Sequence, residues 1–152
     1  MTTTALIPPT EASTFEISLT LKDGHAFTVE FDDDALEPLQ TDEPPPLGEN
    51  TGPSPSRLLA AAVANCLASS LLHCVRKARV QVESMVAKVV ATIGRNDHGR
   101  LRIDGLHVLL DVKAAKDQRD RLTRCVELFQ DYCIVAESVK RGIDVRVSVS
   151  TT

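Results

Sequence analysis

The chain has 152 residues, 43% of them hydrophobic, and a formal net charge of -4. That length and apolar content suit one domain with a real core. The acidic balance speaks against nucleic acid or an anionic membrane as a primary partner, because either requires a basic surface that displaces counterions.

The Thr- and Pro-rich start predicts a loose segment over 1–13, followed by a single domain over 14–152. Met1 to Pro9 carries neither a basic n-region nor a long apolar h-region, so a cytoplasmic location is expected. Phe15 to Leu21 alternates apolar and polar residues, Lys22 to His25 reads as a turn, and Ala26 to Phe31 alternates again, which predicts a β-hairpin. Asp32 to Asp34 end it. From Leu39 to Pro53 the sequence reads as a loop, because Pro44, Pro45 and Pro46 rule out a helix or a central strand.

Ser54 and Pro55 then form a good N-cap and first-turn pair, and a helix is expected to about Lys77. Leu59, Val63, Leu67, Leu71 and Val75 make one stripe, while Leu58, Ala62, Cys66, Ser70 and His73 lie on another. Such a helix is apolar nearly all round and must be covered on every side. One sheet covers one face, so the other face is expected to meet a second subunit. Its apolar run, Leu58 to Leu72, is broken by Asn65 and two serines and is shorter than the ~20 residues of a membrane span.

Beyond it, Met85 to Ile93 and Leu101 to Val112 read as strands joined by a turn over Arg95 to Arg100. Ala114 to Cys133 reads as a second helix, with Leu122, Cys125, Val126, Phe129 and Cys133 at three- and four-residue spacing. Gly142 marks a turn into a last strand, Ile143 to Val149. The predicted order is ββ-α-ββ-α-β, an α+β domain.

Four cysteines in a reducing compartment are not expected to be static staples, and their spacings hold no CxxC signature. Cys66 and Cys133 both sit among small or apolar residues. From the residues alone each is either a buried core cysteine, the commonest fate of this residue, or half of a redox pair. In such a pair one thiolate attacks an O–O bond, and a second thiol condenses with the sulfenic acid that results. Cys74 and Cys125 match no motif and read as structural thiols. His73, seven residues from Cys66, is too far along the helix for direct contact and reads as a core or interface residue. His25, His98 and His107 show no metal-ligand spacing.

The run Pro55-x-x-Leu58-Leu59-Ala60-Ala61-Ala62-x-x-x-Cys66, with the later Cys133-x-Val135-x-x-Ser138-x-x-x-Gly142-Ile143-x-Val145-x-Val147, resembles the OsmC/Ohr family of organic hydroperoxide-resistance proteins. The loop Thr41 to Gly48 and the run Gly52 to Pro55 look like an OsmC-like branch of it. The resemblance implies an intertwined homodimer in which central helices are enclosed by β-sheets, with each active site at the subunit interface. It further implies a thiol-dependent peroxidase with Cys66 as the peroxidatic residue, Cys133 as the resolving one, and an organic hydroperoxide as substrate. A thiol or lipoyl group would serve as reductant, with no metal or prosthetic cofactor.

Family members usually carry a glutamate where this chain has Ser56, partnered by an arginine from the N-terminal strand region. The first hairpin here contains no arginine, and Ile134 follows Cys133 where a proline is usual. Glu43, Ser56 and Arg57 stand in as possible supports. These departures keep a second expectation open, a non-catalytic OsmC-like binding protein with an apolar pocket at the dimer interface.

Overall fold

The computed structural model describes residues 13–151, so the expected loose segment lies almost wholly outside the described residues. The chain forms two compact units, one ending at Pro55 and the other starting at Ser56.

In the first unit, β1 (Ile17–Asp23), β2 (Ala26–Phe31) and β3 (Leu39–Thr41) form an antiparallel sheet in the order β1-β2-β3. The register sets Ile17 opposite Phe31, Leu19 opposite Val29 and Leu21 opposite Phe27. Apolar side chains therefore meet across the strands on one face, as the alternation requires. Gly24 takes φ 54° in the turn, a conformation in which a Cβ is strained.

β3 lies inside the stretch expected to be a loop. It is only three residues long, too short for a period of two to register. Beyond it Asp42 is buried and its carboxylate gathers the loop. The amides of Glu43 (2.8 Å), Glu49 (3.0 Å) and Thr51 (3.0 Å) and the Thr51 hydroxyl (2.9 Å) all donate to it. These donors, the Thr51 amide foremost, hold its pKa down at about 2 against the opposing effect of burial. Gly48 passes so close that a Cβ there would collide with that carboxylate and with the Glu43 carbonyl.

The second unit is built on α1 (Pro55–Lys77), the hairpin of β4 (Val82–Arg95) and β5 (Leu101–Ala114), α2 (Arg119–Leu128) and α3 (Ile134–Arg141). Both strands run longer than their apolar patterns, because the ladder continues through Val82↔Ala114 and Arg95↔Leu101. The hairpin turn is closed by Asn96, whose side-chain oxygen accepts from the amides of His98 (3.0 Å) and Arg100 (2.9 Å). α1 stops without a glycine: Arg79 adopts φ 56°, and the Val80 amide reaches back to the Val75 carbonyl at 2.8 Å.

α1 is 23 residues long and holds an 18-residue stretch of mean hydropathy 1.8, so it does meet the length and composition of a membrane-crossing helix. It is longer than the apolar run Leu58 to Leu72 because Pro55 to Arg57 and His73 to Lys77 continue the helix. Ala60, Val63, Ala64, Leu71 and Val75 are buried, whereas Ala62, Asn65, Ser69 and His73 form an exposed face. Its core divides into two clusters: Leu71 and Val75 pack with Val80, Cys125 and Phe129, while Val63 packs with Cys133 and Ala136.

Three expectations are corrected here. The helix foreseen over Ala114 to Cys133 is broken: β5 takes Ala114, a 3-10 turn occupies Lys116–Gln118, and a second one over Phe129–Tyr132 follows α2. Cys133 itself is extended (φ -85°, ψ 102°), and the separate α3 starts after it. Cys74 and Cys125 are joined in a disulfide, with Cα atoms 5.6 Å apart, contrary to the view that none of the four is a staple. The last turns of α1 bring Cys74 against α2, where Cys125 is 3% exposed. Finally, Ile143 to Val149 joins no sheet among the described residues. Its alternating Ile143, Val145, Val147 and Val149 stand 70–84% exposed.

Candidate functional site

Cys66 and Cys133 are free thiols. α1 carries Cys66 half-buried, while Cys133 is 0% exposed at the start of α3. The fold brings them together across 67 residues of sequence, Cys66 packing against the cluster of Val63, Cys133 and Ala136.

The position of Cys133 follows from the break before it. Its extended backbone makes it the N-cap of α3, and its Sγ accepts a hydrogen bond from the Ala136 amide at 3.3 Å. Sulfur thus takes the part that a Ser or Asp oxygen usually plays. The Glu137 amide donates to the Cys133 carbonyl at 3.0 Å, closing the first turn. Ser70 lies one turn beyond Cys66 on α1.

Burial pushes the Cys133 thiol up from its ordinary value, and the adjacent Cys66 adds to the rise. The Ala136 amide and the Ser70 hydroxyl oppose that rise. Cys133 is therefore a protonated thiol near neutral pH. The jacket around the pair is apolar: Val63, Leu67, Leu106, Val108, Val135 and Ala136.

Along this jacket runs a groove of about 630 Å³ between α1, β5 and the segment from Phe129 to Lys140. Val63, Leu67, Leu106, Val108 and Ala136 belong to both. Its charged rim includes Arg102, paired with Asp104 at 2.9 Å, and Lys140, paired with Glu137 at 3.2 Å. The arrangement offers a half-buried cysteine, a fully buried one, and a groove that shares part of their apolar jacket.

Glu43 belongs to the first unit, in the loop that Asp42 gathers. Ser56 and Arg57 are exposed in the first turn of α1. At a rise of about 1.5 Å per residue they precede Cys66 by roughly 15 and 13 Å along the axis, too far for contact within one helix. His73, expected in a core or interface, is exposed. Sequence reasoning missed Ser70 and the Ala136 amide. The available signal was the apolar spacing of Val135, Ala136 and Val139 directly after Cys133, which marks a helix starting there.

Comparisons with known proteins agree with this architecture. The family model described as OsmC-like protein matches residues 48–148. No curated protein matches the chain. Among solved structures, an OsmC-like protein of unknown function from Vibrio cholerae superposes with a TM-score of 0.73 at 22% identity, covering 85% of this chain and 95% of that one. A putative organic hydroperoxide resistance protein from Vibrio cholerae, with captopril bound in one of its active sites, gives a TM-score of 0.61 at 26% identity over 89% of this chain and 91% of that one. The organic hydroperoxide resistance protein of Bacillus subtilis gives 0.57 at 18% identity, over 88% and 96%.

Proposed function

This chain belongs to the OsmC-like protein family, and from that premise we propose that it is a thiol-dependent peroxidase that reduces organic hydroperoxides through Cys66 and Cys133. The observation that carries the reading is the contrast within the pair, a half-buried Cys66 against a fully buried Cys133. The likeness to organic hydroperoxide resistance proteins supports it.

In this reading the Cys66 thiolate attacks the terminal oxygen of the hydroperoxide, an S–O bond forms, the O–O bond breaks, and the alcohol leaves with a proton. Cys66 is then a sulfenic acid. Cys133 gives up its proton and attacks that sulfur, forming the Cys66–Cys133 disulfide and releasing water. The hydroperoxide gains two electrons and the two thiols lose them. A thiol or lipoyl reductant returns both. The raised Cys133 thiol suits this order, because a group kept protonated is a poor first nucleophile. The apolar groove suits a substrate with a hydrocarbon body.

The same reading includes a homodimer and a cytoplasmic location. The exposed face of α1 and the unpaired, alternating Ile143 to Val149 are surfaces that a second copy would cover. A second reading, a non-catalytic binding protein using the groove, is favoured by the distance of Ser56 and Arg57 from Cys66. Consumption of cumene hydroperoxide with dihydrolipoate or dithiothreitol as reductant separates them. Peroxidase activity requires turnover that C66S abolishes; binding without any consumption by the unaltered protein would leave only the second reading.

A further inference from the structure

We propose that the Cys74–Cys125 disulfide is a positioning clamp for the other pair, holding the segment that carries Cys133 against α1 so that Cys133 meets Cys66. The proposal rests on the reading of Cys66 and Cys133 as a redox pair. Cys66 and Cys74 are eight residues apart on α1, and Cys125 and Cys133 are eight apart on the later segment. Cys74 meets Cys125 and Cys66 meets Cys133, so the two stretches run antiparallel and the disulfide closes one end of a frame whose other end is the free pair.

α2 is fastened at that bond. Among its ten residues Cys125 is the sole buried one; Leu122 packs half-buried against the same cluster, while Val126, Leu128 and five charged residues, Arg119, Asp120, Arg121, Arg124 and Glu127, are exposed. Hydrogen bonds also tie this region to the end of α1, Arg121 Nη1 to the Ala78 carbonyl at 3.3 Å and the Gln81 amide to Gln118 Oε1 at 2.7 Å, but both are exposed to water. Between Cys125 and Cys133 the backbone changes from α to 3-10 to extended within eight residues. Its buried side chain there is Phe129, in the same cluster as Cys125. With the bond cut, α2 loses its covalent anchor, and Cys133 is positioned by the apolar contacts of Leu122 and Phe129 and by its own cluster. Cys74 and Cys125 touch no substrate; they act through Cys133.

Glutathione buffers test this without any peroxide. Cys66 displaces one thiolate from glutathione disulfide to form a mixed disulfide, and Cys133 then displaces the second, so two protein thiols are oxidised for each glutathione disulfide reduced. The equilibrium gives the effective concentration of Cys133 at Cys66. In C74A/C125V, where apolar side chains refill the space of the sulfurs, that concentration is expected to fall roughly tenfold, while first-turnover cumene hydroperoxide attack by Cys66 keeps its rate. An unchanged effective concentration overturns the clamp. A protein that never consumes hydroperoxide yet shows the tenfold fall retains the clamp and overturns the peroxidase reading.

If the variant does not fold, the coupling is read in the unaltered protein. Differential alkylation across the same buffers counts the four combinations of open and closed pairs. Closure of one pair is expected to favour closure of the other about tenfold in both directions; populations that simply multiply contradict the proposal.

Discussion

Two cysteine pairs connect the same helix to the same later segment, and they differ in chemical state. Cys74 and Cys125 are bonded at the cluster of Leu71, Val75, Val80 and Phe129, where α1 and α2 approach directly. Cys66 and Cys133 are free thiols, and the Cys133 sulfur caps α3 by accepting from the Ala136 amide. Equal spacing on both segments therefore does not give equal chemistry. The backbone differs at the two partners: within a helix at Cys125, extended and capping at Cys133.

The largest way to sharpen this contrast is to remove one thiol of the open pair at a time. C66S is expected to lose hydroperoxide consumption altogether. C133S is expected to consume about one equivalent in the first turnover and leave a sulfenic acid on Cys66, seen by stopped-flow kinetics and dimedone trapping. Equal loss in both variants would erase the distinction between attacker and resolver. Next in size is the closed pair. Its bond spans a sequence separation of 51 residues, so C74A/C125A is expected to lose about 4 kcal/mol of stability by loop entropy. In a chain of this length that amounts to roughly 10 °C in Tm, measurable by thermal scanning. A shift of no more than about 1 °C would show that the core alone holds α2.

A smaller effect is expected at Ser70. Its hydroxyl lowers the Cys133 thiol, so S70A raises that thiol further and slows disulfide closure near neutral pH roughly two- to tenfold. Because the folded-state value is already raised, the closure rate climbs as pH rises into the alkaline range, and in S70A the climb starts later. The raised thiol also favours the folded chain while it stays protonated, an advantage lost as pH rises through the folded value. A pH-rate profile identical in S70A and the unaltered protein would remove the hydroxyl from the site. Smallest of all for the thiol chemistry is D42N, in the other unit. With its pKa held at about 2, the Asp42 carboxylate stabilises the fold above its ordinary value of 3.8, and that contribution fades as pH falls through about 2. D42N is expected to flatten acid unfolding in that window and leave disulfide closure unchanged, checked by acid titration followed by circular dichroism.

Much of this was legible in the sequence. Alternation in Phe15 to Phe31 and in the two long strands gave the hairpins, and the Ser54-Pro55 start and all-round apolar pattern gave α1. The family resemblance drawn from the contexts of Cys66 and Cys133 agrees with the match over residues 48–148. What escaped has physical reasons. β3 is too short for periodicity, and the break at Cys133 comes from a sulfur acting as a cap, which residue preferences do not anticipate. The Cys74–Cys125 bond depends on the approach of α1 to α2, a tertiary distance that spacing does not encode. Ile143 to Val149 has the alternation of a strand, yet a strand also needs an edge to pair with, and sequence alone does not supply one.

The central claim is that the open pair closes in response to hydroperoxide while the closed pair stays as it is. Peptide mapping under non-reducing conditions, before and after one equivalent of cumene hydroperoxide, measures it directly. The expected result is a Cys74–Cys125 link in both samples and a new Cys66–Cys133 link in the second. Free Cys66 and Cys133 after treatment, or either of them joined to Cys74 or Cys125, would contradict it.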